Sequence, residues 1–156
     1  MPPRPAADEM RLLQILWIAF LVAVALYTPL PYLIIREGAD DAAALPPVAR
    51  SGLYSAALGA AVASFAAKRW WTNSLLALAR SEPALPARTD IWIRLRAGCV
   101  VTWALSETVA LLGLTLAMIA RRPLDGLAFS VAAALLLYVH RPATWPVDAL
   151  GPVPLA

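Results

Sequence analysis

The sequence predicts an all-α polytopic membrane protein with four transmembrane helices and both termini on the cytoplasmic side. Three observations lead there. Of 156 residues, 61% are apolar and only 15% charged, against about 45–50% and about 25% in soluble domains. The charges leave long gaps: Leu12 to Ile35, Ser51 to Ala67, Ala97 to Ala120 and Gly126 to His140 contain a single charged residue between them, Glu107. A spanning helix needs about 20 mostly apolar residues, with a lower limit of about 17. Finally, the Lys and Arg residues divide unevenly between alternate connections. Residues 1–156 are accordingly read as one membrane domain.

The first span covers about 12–35. Arg4 and Arg11 precede it, but the apolar stretch exceeds the roughly 7–15 residues of a secretory h-region, so it reads as a retained anchor. Pro29 and Pro31 kink or finish this helix. The second span, 51–67, is rich in small residues. Gly52, Ala56, Ala60 and Ser64 form one stripe at a spacing of four, and Ser55, Gly59, Ala63 and Ala67 form its neighbour. Such stripes let helices approach closely in lipid. Gly52, Ser55, Gly59 and Ala63 are therefore the candidate helix-packing positions, suited to a homo-oligomer or ring.

Residues 68–96 form a basic connection carrying Lys68, Arg69, Arg80, Arg88, Arg94 and Arg96 beside Trp70, Trp71 and Trp92. Tryptophan among arginines marks a membrane interface, and the positive charge attracts anionic lipid. Within it, Arg69 to Arg80 is expected to form a short surface helix broken by Pro83 and Pro86. Thr89 and Asp90 are expected to cap a helix that continues into the third span, 97–120. The fourth span, 123–140, is followed by a Pro-rich tail, 141–156. With the termini and residues 68–96 inside, nine basic residues are cytoplasmic and four are not, the direction of the positive-inside rule. One lysine against twelve arginines, with abundant Ala and Pro, suggests a GC-rich bacterial genome and hence a bacterial inner membrane.

The composition excludes several classes of function. A net charge of +3 comes from interfacial residues, and no nucleic-acid-binding motif is present. The single cysteine, Cys99, cannot form an internal disulfide and reads as packing. The single histidine, His140, reads as a polar interfacial residue at the end of the fourth span and cannot form a histidine cluster. Neither a phosphate-binding glycine loop nor a nucleophile–base pair is visible. No metal, no cofactor and no enzyme activity is expected.

Glu107 is the residue whose position demands an explanation. An acid at the centre of a spanning helix costs about 2.5–3.5 kcal/mol, and no Lys or Arg lies inside any span. Intramembrane acids are functional sites by default. When protonated, this one can donate a hydrogen bond, and it can release its proton when water or a cation approaches. Thr102, Ser106 and Thr108 are the neighbouring hydroxyls expected to support it.

The run from Ala104 to Ala117, with Ala104, Leu105, Glu107, Ala110, Gly113, Leu114 and Ala117, resembles the carboxylate helix of the proteolipid c subunits of rotary ATPases. The small-residue second span stands where that family has its glycine-rich helix. The resemblance implies a ring of hairpins in which Glu107 takes up and releases one proton, together with other membrane subunits. It covers under half of the chain. Leu112 replaces the family's tyrosine, the glycine repeat is reduced to Gly52 and Gly59, and two further spans flank the hairpin. Two alternatives stay open: a small dimeric proton-coupled exporter, and a non-transporting scaffold or assembly subunit.

Overall fold

The computed structural model describes residues 6–35, 45–81 and 87–146. These form α1 (Ala6–Tyr27), a short α2 (Leu30–Ile34), α3 (Pro47–Ser81), α4 (Ala87–Ala120), α5 (Pro123–Val139) and a final 3₁₀ turn, Pro142–Thr144. No strand occurs among the described residues. Residues 147–156 of the Pro-rich tail lie outside them, as do Pro83 and Pro86.

Local chemistry sets the helix boundaries. Asp8 and Glu9 occupy the first turn of α1, where carboxylates complement the helix dipole. The helix ends at Tyr27, two residues ahead of Pro29, and the chain resumes as α2. Proline opens both α3 and α5, a position where its missing N–H costs nothing. The turn between α4 and α5 is a Schellman closure. Arg122 N–H donates to the Ala117 carbonyl at 3.1 Å, and Arg121 adopts φ +50°, the left-handed position usually given to glycine.

Residues 68–81 and 87–96 are helical, though not as the separate short helix over 69–80 and the start capped at Thr89 and Asp90 that the sequence suggests. α3 runs without a break from Pro47 to Ser81, and α4 begins at Ala87, ahead of Thr89. The tryptophans and arginines are thus carried on the prolonged ends of two antiparallel helices. No breaker occurs in α3 before Pro83, so the 3.6-residue periodicity simply continues past the apolar stretch.

Packing centres on α4, which lies against α1, α3 and α5. Contacts fix the directions. Glu9 pairs with Arg96, Phe20 meets Trp103 and Tyr27 meets Glu107, so α1 and α4 run parallel. Arg50 pairs with Asp125 and Ser64 meets His140, so α3 and α5 also run parallel, in the opposite sense. Cys99, Trp103, Ala110, Leu116 and Ala117 of α4 are fully buried. α4 and α5 approach backbone to backbone at Gly113 and Gly126. A Cβ on Gly126 would stand 2.9 Å from the Gly113 carbonyl oxygen, and one on Gly113 would overlap Phe129.

The C-terminus of α5 is held by all three neighbouring helices. Its last carbonyls lack intrahelical partners, and side chains supply the donors. Trp17 Nε1 donates to Leu137 O at 2.8 Å, Lys68 Nζ to Val139 O at 3.2 Å and Trp103 Nε1 to His140 O at 2.8 Å. Lys68 also donates to Thr144 Oγ1 at 2.8 Å, and burial lowers its pKa below the usual lysine value. His140 is fully buried, and its own carbonyl and ring take part in this junction. Ser64 Oγ donates to Ala61 O at 2.7 Å and lies 3.1 Å from His140 Nε2. With its hydrogen on Ala61, the hydroxyl is an acceptor for the Nε2–H tautomer of the ring. Trp103→Phe should leave the buried His140 carbonyl without its donor and lower stability by about 1–3 kcal/mol, read from thermal unfolding in detergent.

The exterior is apolar and the interior holds polar groups. Ile15, Ile18, Val22 and Leu26 of α1, Leu58 and Val62 of α3, and Val131 and Leu135 of α5 are exposed, whereas Ser64, Thr102, Ser106, Ser130 and His140 are buried. Two stretches, Asp8–Ile34 and Ile91–Ala120, are long and apolar enough to cross a membrane. α5 is apolar but only 17 residues long, and α3 draws its apolar character largely from Ala.

Candidate functional site

Glu107 lies on α4, eleven residues beyond Arg96 and fourteen before Arg121. It is half-buried, on the side of α4 that faces α1. Tyr27, the last residue of α1, donates its phenolic hydrogen to Glu107 Oε1 at 2.7 Å. The Thr28–Pro29 turn follows Tyr27 directly. Thr28 Oγ1 reaches back to Val24 O at 3.3 Å, closing the last turn.

No cation meets Glu107 among the described residues. Arg96 is engaged by Glu9 and Arg50 by Asp125. These two ion pairs lie at opposite ends of the bundle and tie α1 to α4 and α3 to α5. The carboxyl thus faces one neutral donor, bound to one oxygen. Oε2 has no protein partner among the described residues and can accept a proton.

The hydroxyls expected around Glu107 are used otherwise. Thr102 donates to Gly98 O at 2.8 Å, Ser106 to Thr102 O at 2.9 Å and Thr108 to Ala104 O at 2.8 Å. Each satisfies the carbonyl one turn back on its own helix, and none meets the carboxyl. Thr102 and Ser106 are fully buried.

The small-residue positions of α3 also differ from a simple intrachain packing face. Gly52, Ser55 and Gly59 are exposed, and Ala63 is half-buried. A Cβ on Gly52 or Gly59 would meet nothing within 4 Å. Within the chain, close helix contact comes from Gly113 and Gly126, together with Gly98, where a Cβ would stand 2.9 Å from Trp71 Cγ. No group of three or more potential metal-binding side chains occurs among the described residues. Cys99 is buried within the core. No protein-family model, curated protein or solved structure matches this chain.

Proposed function

We propose that this chain is a four-span protein of a bacterial inner membrane, with both termini cytoplasmic, and that Glu107 is a reversible proton-binding site in an oligomer related to the c-subunit hairpin. The observation that carries this reading is the placement of Glu107: midway along an apolar helix, without a cation, and bonded through one oxygen to Tyr27. A mid-membrane acid is costly to retain, and the free oxygen gives that cost a use.

Three further features support the reading. The apolar exterior over buried hydroxyls suits lipid as the surrounding solvent, since lipid cannot satisfy polar groups. α3 and α4 are antiparallel neighbours, the arrangement a c-subunit hairpin would need. The exposed Gly52, Ser55 and Gly59 face leaves room for a second copy, packed through small residues.

A second reading is favoured by the same hydrogen bond. In a non-transporting scaffold, Tyr27 and Glu107 would simply tie α1 to α4, as polar pairs do between membrane helices. A hydrophobic carbodiimide separates the two readings, because it modifies protonated carboxyls in apolar surroundings. The proton-site reading predicts an adduct mapped by mass spectrometry to Glu107 and lost in Glu107→Gln. A folded protein that gives no adduct at Glu107 would leave the scaffold reading.

A further inference from the structure

Where α3 and α4 emerge from their apolar stretches, a cavity of about 200 Å³ lies between them, lined by Trp70, Trp71, Ser74, Leu75 and Arg94. We infer that this cavity is a binding site for the phosphodiester headgroup of an anionic phospholipid of the cytoplasmic leaflet. The inference rests on the membrane reading proposed above and adds to it a specific lipid site.

The cavity is held in shape by its neighbours. Trp71 packs over Gly98, whose missing side chain makes room for the indole. Leu75 is buried beneath it. Trp70 stands edge-on to Trp71, with ring centroids 4.9 Å apart, and is 62% exposed. Ser74 Oγ is turned to its own helix, donating to Trp70 O at 2.9 Å. The lining is therefore apolar and aromatic, with one cationic side chain, Arg94.

Charge selects the occupant. Of the other cations around this end, Arg96 is paired with Glu9 and Lys68 is bonded to the end of α5, and neither Arg69 nor Arg80 lines the cavity. Arg94 is exposed and has no ion pair among the described residues. A guanidinium free to form two parallel hydrogen bonds matches a phosphate. The indole rings beside it match the glycerol and upper acyl region, the depth at which tryptophan concentrates. A free phosphate ion would use the guanidinium but not the apolar walls. A zwitterionic lipid would bring its own cation against Arg94.

The test has two steps on the full-length chain. Detergent removal in the presence of vesicles, followed by flotation, checks the membrane reading: a chain that stays out of the vesicles overturns both proposals. For a chain that floats, native mass spectrometry in detergent compares short-chain phosphatidylglycerol, short-chain phosphatidylcholine and inorganic phosphate as probes. Phosphatidylglycerol should bind more tightly than the other two. Arg94→Gln should weaken it about fivefold, the effect of one interfacial charge, Arg94→Lys should weaken it by less because the charge stays while the two parallel hydrogen bonds are lost, and Arg69→Gln should stay within about twofold of the parent. Equal binding of the two lipids, or an unchanged Arg94→Gln, would overturn the headgroup site and leave the membrane reading standing.

Discussion

Gly113→Ala should loosen the bundle more than any other single-methyl substitution in α4. Helices in lipid gain nothing from burying apolar surface against one another, so their association depends on close packing. Gly113 lies where α4 and α5 approach backbone to backbone, and its Cβ would overlap Phe129 and stand 3.1 Å from the Gly126 carbonyl oxygen. Neither neighbour is a flexible side-chain tip: one contact is to a Cβ and the other to backbone. The helices must therefore separate, which also weakens the hold of Trp17, Lys68 and Trp103 on the far end of α5. Overpacking of this kind costs about 1–3 kcal/mol, and Gly113→Val should cost more. Thermal unfolding in detergent measures it. Gly52→Ala and Gly59→Ala provide the contrast. Both positions open onto free space, so the gain in helix propensity, about 1 kcal/mol for each, should appear as equal or greater stability of the single chain.

Glu107→Gln should remove proton exchange and leave the fold intact. The amide oxygen still accepts the Tyr27 hydrogen, so the α1–α4 contact survives while the titratable group is lost. Glu107→Leu deletes the acceptor as well. It leaves the phenol without a partner and should lower stability by about 1 kcal/mol. The pair of variants separates the two roles of the side chain: both lose proton binding, and only Leu lowers the thermal midpoint. If Gln were as destabilising as Leu, the hydrogen bond would not be the contact that joins these helices.

Much of this was legible from residue order because in a chain of low charge each charge acts as a marker. Glu107 stood out against an uncharged background, and the prolines at 29 and 123 marked where α1 ends and α5 begins. Helix lengths were less legible. Charge gaps locate apolar stretches, but nothing in residues 68–81 stops a helix, so α3 continues well past the end of its gap.

Tyr27 was hidden for a geometric reason. It lies sixteen residues beyond Arg11, whereas Glu107 lies eleven beyond Arg96. Counting depth from the flanking arginines thus sets the two residues at different levels. The Tyr27 hydroxyl nevertheless donates to Glu107 Oε1. The hydroxyls at 102, 106 and 108 were close in sequence but committed to their own helix. Sequence proximity could not reveal that, because a helical Ser or Thr has a carbonyl acceptor one turn back wherever it stands. The small-residue stripe on α3 was visible as a pattern, but its direction was not, since periodicity identifies a face without saying what the face meets.

Infrared difference spectroscopy of the protein in lipid, between acidic and alkaline buffer, reads the proposed binding and release of a proton by Glu107. Subtracting the Glu107→Gln difference spectrum from that of the parent should cancel the other nine acids and leave one carboxyl C=O band that gives way to carboxylate bands as the pH rises. A difference spectrum that Glu107→Gln leaves unchanged would contradict that proposal.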